Sequence, residues 1–339
     1  MRYKRKIIIW GGNNKPLTLE NIDSHASVSA YFLTKYLRQY YDIVNLVDMN
    51  SPEEILKYRD ISAVISTFQK GFTNRLVLKN REELFYEIRR HIRGKLCSLS
   101  DYNDRGVYYE DFLFTVREPK TGNIQAIKRH SFNPDIAIHR MGWCAEPDTC
   151  YPEPVPKNEI NIFLDHPPYN PKAPSCIKEY YGAFERIKRE YPHIKLNVYR
   201  QDNRGITAWD FSENNNSTHV GYLRKNKIPW IELIRYYRRT HIFCITHPEN
   251  ACLSAIEAAM CGAKLYVPVH RLNSPFIHRD LLRSGIARSL FRRDVYSIAS
   301  TVIRDIRKGF TRSRNHENLA GKNSWKLATE TIRKRVQPC

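Results

Sequence analysis

Short apolar runs alternate with amphipathic segments along the first third of the chain. Residues 6–10, 42–47 and 61–66 have the length and the apolar content of buried β-strands. In the segment 25–40 apolar residues recur at helical spacing, and Ser24 before it is a suitable N-cap. The pattern therefore predicts an amphipathic helix between the first two strands. Strand–helix alternation of this kind favours a parallel sheet covered by helices.

The same pattern continues less regularly up to residue 150. Further short strands are predicted at 95–99 and 135–139. Between them the chain turns polar from 104 to 132, which indicates an insertion or a hairpin. The segment 141–156 is interpreted as a linker, so that residues 1–150 form the first predicted domain.

The second half returns to strands and helices and is predicted to form a second domain of residues 151–322. A terminal helix is expected within residues 323–339. The predicted elements are strands at 161–166, 195–200, 220–222 and 241–245, and helices at 175–190, 229–237 and 325–336.

The most informative segment runs from Thr246 to Pro268. A predicted strand leads into a loop that carries Glu249, and an alanine-rich helix that carries Glu257 follows before Gly262 and another apolar strand. Two carboxylates at this spacing can converge on one polyhydroxylated ligand. The N-terminus of the helix offers unpaired N–H groups to a phosphate. Together these features suit a nucleotide sugar.

This segment resembles the Glu-x7-Glu signature of GT-B glycosyltransferases, including the Glu-Ala-Ala-Met-Cys-Gly run from Glu257. The resemblance implies an α/β fold with two Rossmann-like parallel-sheet domains facing across a cleft, and a UDP-sugar as donor. It also implies that the last helix crosses back to the first domain. The alternative is an ordinary amphipathic helix with a solvated glutamate. By resemblance, Glu249 contacts the donor sugar or its phosphate, Glu257 holds the ribose hydroxyls, Asn250, Ala251 and Ser254 add donor contacts, and Gly221 and Tyr222 lie beside the nucleotide base.

Neutralising the donor diphosphate requires cations or backbone amides. The chain has no Asp-x-Asp pair in an evident metal-binding loop, so we expect no metal and no cofactor besides the nucleotide sugar. Lys172, Arg200 and Arg204 lie at or after the ends of predicted strands and are candidate cations, although a lone basic residue is more often a solvated surface charge than a ligand. Gly11 and Gly12 directly follow the first strand, where glycine lets the backbone approach a phosphate.

A second resemblance concerns the acceptor side. The Gly-Gly-Asn-Asn turn at 11–14, the Asp-Ser-His sequence ending at His25 and the Leu-Ser-Asp-Tyr-Asn-Asp-Arg segment around Asp101 are similar to T-even phage DNA beta-glucosyltransferases. By this resemblance Asp101 is the catalytic base and His25 neighbours the acceptor hydroxyl. Without it, Asp101 is a turn residue and His25 a surface histidine. The phage enzymes invert the anomeric centre whereas Glu-x7-Glu enzymes mostly retain it, so the stereochemistry stays open.

Charge is the second informative property of the chain. Its 55 lysines and arginines give a formal net charge of +20, far more than one diphosphate requires. The surplus indicates a polyanionic partner, either nucleic acid or an anionic membrane surface, or else compositional drift. No apolar run approaches the roughly 18 residues that span a membrane. The eight cysteines include no Cys-x2-Cys pair, which favours a reduced cytoplasmic protein, in a host cell if viral.

Three functions remain open from the sequence. The first is a glycosyltransferase acting on hydroxymethylated pyrimidines in DNA, which explains the charge by phosphate binding. The second is a glycosyltransferase acting on a glycan or lipid-linked sugar at an anionic membrane. The third is a non-catalytic nucleic-acid-binding protein, which leaves the two glutamates unexplained.

Overall fold

The chain forms two compact units, Met1–Cys144 with Asn323–Cys339 (unit 1) and Ala145–Lys322 (unit 2). No helix within the described ranges is long and apolar enough to cross a membrane. The computed structural model describes residues 5–337 apart from 13, 49, 68–75, 77–80, 100–108, 116–120, 132, 134, 143, 166–174, 203–204, 212–216, 226–227, 247–252, 269–280, 291–293 and 311.

The described elements alternate between strands and helices through both units. The strands are β1 (Lys6–Trp10), β2 (Asp42–Leu46), β3 (Ile61–Ser66), β4 (Lys95–Leu99), β5 (Phe112–Thr115), β6 (Ala137–Arg140), β7 (Glu159–Leu164), β8 (Lys195–Asp202), β9 (Gly205–Phe211), β10 (Ser217–Lys225), β11 (Ile242–Cys244), β12 (Lys264–Pro268) and β13 (Ala287–Leu290). The helices are α1 (His25–Leu37), α2 (Glu82–His91), α3 (Thr121–His130), α4 (Ile177–Glu190), α5 (Trp230–Arg239), α6 (Leu253–Met260), α7 (Val295–Lys308), α8 (Arg312–Ala320) and α9 (Trp325–Val336), with a 3₁₀ turn at Pro52–Lys57.

Unit 1 is built on a parallel sheet whose strand order is β2-β1-β3-β4-β5-β6. Helix α1 begins where the sequence predicts, because Ser24 accepts a hydrogen bond from the backbone N–H of Ser27 (3.3 Å) and caps the first turn. Phe32 of α1 stacks on Trp325 of α9, with ring centroids 5.6 Å apart. The last helix of the chain is thereby packed into unit 1.

The prediction of an insertion or hairpin between residues 104 and 132 is wrong. Strand β5 pairs in parallel with both β4 and β6, and α3 connects β5 to β6 in the usual strand–helix–strand manner. The strand was missed because it is only four residues long, between polar flanks. Its buried Leu113 packs with Ile127 and Ile136 in a small cluster of their own.

Unit 2 is built on a sheet with the order β10-β9-β8-β7-β11-β12-β13. The five strands from β8 to β13 are parallel, whereas β9 and β10 form an antiparallel extension. The sequence predicted only a short strand at 220–222, and the structure extends it to nine residues and adds β9. Helices α4 and α7 pack over β7 and β8 through apolar side chains that include Tyr180, Phe184, Ile298 and Val302.

In both sheets the first strand of the unit has the next strand along the chain on one side and later strands on the other. The direction in which strands are added to the sheet therefore changes beside this first strand. In unit 1 the reversal falls between β1 and β3, and in unit 2 between β7 and β11. Ligands of open α/β sheets bind in the crevice outside the carboxyl ends of the strands at such a switch point. The carboxyl ends of these four strands are thus where functional residues are expected.

Candidate functional site

The carboxyl ends of β7 and β11 are held together by backbone hydrogen bonds. The N–H of Asp165 donates to the carbonyl of Cys244 (3.0 Å), and the N–H of Cys176 donates to the carbonyl of Thr246 (2.9 Å). The chain continues from Thr246 into residues 247–252 and then into α6, whose first turn contains the half-buried Ser254. The backbone at the switch point of unit 2 is thus held together by hydrogen bonds, and α6 follows this point along the chain.

Glu257 is the clearest functional side chain in unit 2. It lies four residues into α6 and is only 5% exposed. Its Oε1 accepts a hydrogen bond from the indole N–H of Trp230 at 2.7 Å. Burial raises the pKa of the Glu257 carboxyl to about 7, and the hydrogen bond from Trp230 lowers it in part. The group therefore changes charge close to neutral pH.

Burial of Glu257 follows from the sequence of α6. Its helix neighbours Ala255, Ile256, Ala258 and Met260 are all buried, so this part of the helix has no solvated face to accept the carboxylate. The alternative of a solvated glutamate on an amphipathic helix is therefore wrong. A buried carboxylate is costly unless a partner offsets its desolvation, which marks Glu257 as a functional-site candidate.

Trp230 is a site residue that the sequence analysis missed. It is the first residue of α5, it is 4% exposed, and it holds one oxygen of the Glu257 carboxyl. The available signal was a tryptophan directly after Pro229, at the start of a helix whose other end is basic. Buried indole N–H groups usually have a hydrogen-bond partner, but only the tertiary structure shows which partner it is.

The other predicted donor residues of unit 2 fall into two groups. Arg200 lies near the carboxyl end of β8, opposite Leu164 of β7, while Gly221 and Tyr222 pair with Ala208 and Thr207 on β9. Arg200 is therefore close to the switch point, and Gly221 and Tyr222 belong to the antiparallel extension of the same sheet. Glu249, Asn250, Ala251, Lys172 and Arg204 lie outside the described residues.

The predicted residues of unit 1 meet at the carboxyl ends of β1 and β3. Gly11 follows β1, and a Cβ at this position would lie 1.7 Å from Oγ1 of Thr67, which follows β3. The Thr67 hydroxyl donates to the carbonyl of Ala26 (2.9 Å), which brings His25 at the start of α1 to the same corner. Close packing against Thr67 thus favours glycine at position 11. The contact of Gly11 with the nucleotide-sugar donor stays a prediction.

Two further predicted residues of unit 1 differ in what the structure describes. A Cβ at Gly12 would lie 3.0 Å from the Cβ of Val47, so this position is also crowded. Asp101, the predicted base, lies outside the described residues, directly beyond the end of β4. The structure therefore brings Gly11, Gly12 and His25 together and leaves Asp101 untested.

The described part of the chain contains no cluster of three or more histidine, cysteine, aspartate or glutamate side chains that could hold a metal ion. The six cysteines within the described residues are buried free thiols. Buried thiols of this kind pack as small apolar groups.

Solved structures resemble this chain over nearly its whole length. HepE of Anabaena in complex with UDP-glucose matches with a TM-score of 0.57 at 8% identity, covering 98% of this chain and 99% of that chain. The α,α-trehalose 6-phosphate synthase of Burkholderia multivorans matches with a TM-score of 0.56 at 10% identity, covering 98% of each chain. A glycosyltransferase of Rickettsia africae matches with a TM-score of 0.54 at 10% identity, again covering 98% of each chain.

These similarities confirm the predicted fold class. No protein-family model matches the chain, and a search of curated proteins gives no match. At identities of 8% to 10% the structural matches establish the fold and leave the activity to be argued from the site. The chain has the GT-B fold of glycosyltransferases, with two Rossmann-like parallel-sheet α/β domains.

Proposed function

We propose that this protein is a glycosyltransferase that uses a UDP-sugar donor bound by unit 2. The observation that carries the proposal is Glu257, a buried carboxylate on the helix that follows the switch point of the unit 2 sheet. The position agrees with the ribose-binding glutamate that the sequence resemblance implies. A protein of the same fold, HepE, has been solved with UDP-glucose bound, which supports the choice of donor.

In this proposal Glu257 and Trp230 act together on the donor. The ribose hydroxyls donate hydrogen bonds to the Glu257 carboxylate, which compensates for its desolvation. Trp230 holds Oε1 at 2.7 Å and so fixes the orientation of the carboxyl group before the donor arrives. Binding requires the ionised carboxylate, because a protonated oxygen accepts these hydrogen bonds poorly.

The remaining predicted residues take the other roles in transfer. Glu249 contacts the donor sugar, and Asn250, Ala251 and Ser254 provide contacts at the start of α6. Arg200, Lys172 and Arg204 balance the charge of the diphosphate, and Gly221 and Tyr222 lie beside the base. Gly11 and Gly12 contact the donor or the acceptor.

The chemical step proposed for this site is attack on the anomeric carbon of the donor sugar. The acceptor hydroxyl forms a bond to that carbon while the bond to the leaving UDP oxygen breaks. In an inverting reaction Asp101 takes the proton of the hydroxyl, with His25 beside it, and UDP leaves with the electron pair. A retaining reaction needs a different arrangement on the donor side, and Glu249 is the residue to examine for it.

For the acceptor we propose a hydroxymethylated pyrimidine in DNA, bound by the domain that contains most of unit 1. The support is the net charge of +20. The donor diphosphate needs only a few cations, and the phosphates of DNA would bind to the others. A cytoplasmic location belongs to the same proposal. A glycan or lipid-linked acceptor at an anionic membrane is the alternative that the experiment below separates from DNA.

The test is donor turnover with a panel of nucleotide sugars, with and without DNA that contains 5-hydroxymethylpyrimidines. We expect UDP-sugar turnover that this DNA stimulates, together with added mass of one sugar on the base. Unmodified DNA of the same sequence is the control. Turnover that ignores DNA would move the acceptor to glycans or lipids, and no turnover of any nucleotide sugar would overturn the enzyme proposal.

A further inference from the structure

A polar cavity opens at the amino-terminal edge of the unit 2 sheet. Its volume is about 620 Å³, within the range of about 300–1,000 Å³ that is usual for small-molecule sites. Its walls are residues from the first part of β7 and β8, the outward side of α5, and Glu153 of the segment before β7. Helix α5 begins at Trp230 beside Glu257, and a ten-residue helix is about 15 Å long. The cavity and the proposed donor site therefore lie at opposite ends of α5.

The floor of the cavity is a polar patch on a sheet face that is otherwise apolar. Along β7, Glu159 and Asn161 face the cavity, whereas Ile160 and Ile162 point to the core on the other side. The next residue on the cavity side, Phe163, already packs edge-on against the ring of Tyr237, with centroids 5.0 Å apart. Polar residues are thus confined to the part of this face that borders the cavity.

The amides in this patch are held in one orientation. Nδ2 of Asn197 donates to Oδ1 of Asn161 (2.7 Å), and Nδ2 of Asn161 donates to the carbonyl of Arg239 (2.9 Å). A second, longer bond runs from Nδ2 of Asn197 to Oε2 of Glu159 (3.4 Å). This arrangement uses the donors of Asn197 and leaves its Oδ1 as an acceptor for a ligand hydroxyl.

Four cations and three carboxylates line the cavity, so its lining has a net positive charge. Lys195 pairs with Glu159 (3.0 Å). Arg238 pairs with Glu153 (3.2 Å). Arg235 and Arg239 have exposed side chains with no ion pair in the described part of the chain, although Glu232 also lines the cavity. Two guanidinium groups on successive turns of one helix suit a phosphate, which they can bind through paired hydrogen bonds.

An aromatic wall completes the cavity. The rings of Tyr199 and Tyr236 meet edge-to-face with centroids 5.4 Å apart. Aromatic faces pack against the apolar face of a sugar ring, while amides and carboxylates bind its hydroxyls. We propose that this cavity is a second ligand site that binds a sugar phosphate, with Arg235 and Arg239 on the phosphate and Asn197 and Glu159 on the sugar hydroxyls.

The proposal is tested by calorimetric titration of glucose 1-phosphate, inorganic phosphate and glucose into the full-length protein in saturating UDP. UDP occupies the proposed donor site, so that residual binding reports the cavity. We expect glucose 1-phosphate to bind more tightly than phosphate, and glucose to bind least. Absence of glucose 1-phosphate binding under these conditions overturns the proposal and leaves the proposed donor site unaffected.

Two variants locate the binding. Arg235→Gln with Arg239→Gln removes both guanidinium groups, and loss of their charge-assisted hydrogen bonds is expected to weaken glucose 1-phosphate binding by about tenfold or more. Arg189→Gln with Arg314→Gln removes the same charge from exposed positions on α4 and α8 and is the matched control. Equal weakening in both double variants would show a general charge effect and overturn the site.

The sugar contact has its own variant. Asn197→Ala removes the amide that offers Oδ1 to a hydroxyl, so it is expected to weaken glucose 1-phosphate binding while phosphate binding stays unchanged. Equal affinities of wild type and Asn197→Ala for glucose 1-phosphate would overturn the assignment of the sugar. Thermal unfolding of each variant checks that the fold is intact.

Discussion

The carboxylates near the two edges of the unit 2 sheet have different surroundings. Near the carboxyl edge Glu257 has no cationic partner within the described residues and relies on one hydrogen bond from Trp230. At the amino edge Glu159 and Glu153 are each paired with a cation. The first arrangement costs folding free energy that a ligand can offset, whereas the second is nearly balanced and leaves two arginines for an anion. The difference teaches that a destabilising side chain can be the better guide to a site.

The largest effect on stability is expected at Arg312. This arginine has a structural role in unit 2, in contrast to the two arginines that are proposed to bind a ligand. Its guanidinium donates to the carbonyls of Glu153 (2.6 Å), Arg238 and Cys261 (3.3 Å), and burial lowers its pKa to about 10. We expect Arg312→Ala to lower the free energy of unfolding by roughly 3–5 kcal/mol, measured by denaturant titration.

The neighbouring exposed Arg314 is the control for this prediction. Arg314→Ala is expected to change the free energy of unfolding by no more than about 0.5 kcal/mol. Equal stability of the two variants would mean that the three carbonyl contacts of Arg312 contribute nothing to unit 2.

The second largest effect concerns how ionisation of Glu257 makes the free energy of unfolding depend on pH. The folded-state pKa of Glu257 is about 7 and its ordinary value is 4.5, so folding favours the protonated carboxyl. This contribution to stability is fully present below pH 4.5 and is lost as the pH rises through 7. Glu257→Gln keeps an oxygen acceptor for Trp230 without the charge. It should therefore be more stable than wild type at pH 8 by roughly 3 kcal/mol, and equally stable near pH 4.

Denaturant titrations of both proteins at pH 4 and pH 8 measure this difference directly. A stability gain of the same size at both pH values would show that it does not come from ionisation of Glu257. A loss of stability at pH 8 would show that the carboxylate has a favourable partner in the folded protein.

The third effect concerns the partner of Glu257. Trp230→Phe removes the indole N–H that lowers the pKa of the carboxyl, so this pKa should rise further. We expect UDP-glucose affinity at pH 7 to fall about tenfold, with its pH dependence displaced to higher pH and partial recovery by pH 9. The diphosphate of UDP-glucose does not titrate across this range, and the uracil ring, which begins to ionise at its upper end, affects wild type and Trp230→Phe alike. An unchanged pH profile with lower affinity would indicate a packing role for Trp230 only.

The smallest effect is expected at the amino edge. Arg235→Gln with Arg239→Gln should change the free energy of unfolding by no more than about 0.5 kcal/mol per residue, because both side chains are exposed and unpaired in the described structure. Its thermal unfolding should match that of the Arg189→Gln and Arg314→Gln control. A large loss of stability would mean that Arg235 and Arg239 have a structural role, as Arg312 does, and would contradict the difference expected between them.

Much of the fold could be predicted from the sequence, because most strands are short apolar runs and most helices have apolar residues at helical spacing. Strands β1, β3 and β4 and helix α9 occur at the predicted residues. The missed strands include β5, too short to show a period, and β9, which is held by antiparallel pairing with β8 and β10. Pairing is a tertiary property, and local pattern does not determine it.

Less of the candidate site could be predicted. The resemblance singled out Glu257, and its ribose role stays a prediction, but its burial and its bond to Trp230 depend on how α5 and α6 pack. The polar side of β7 is visible in the sequence as Glu159 and Asn161 alternating with isoleucines. The sequence does not show that this side borders a cavity, because that depends on where α5 ends above the sheet.

The central claim is that Glu257 holds the donor, and calorimetric titration of UDP-glucose at pH 8 tests it most directly. Wild type, Glu257→Gln and Glu317→Gln are compared, the last being an exposed glutamate of α8 in the same unit. Loss of two hydrogen bonds to a charged group predicts roughly 100-fold weaker binding for Glu257→Gln. The control should bind like wild type. Equal affinity of wild type and Glu257→Gln would contradict the account.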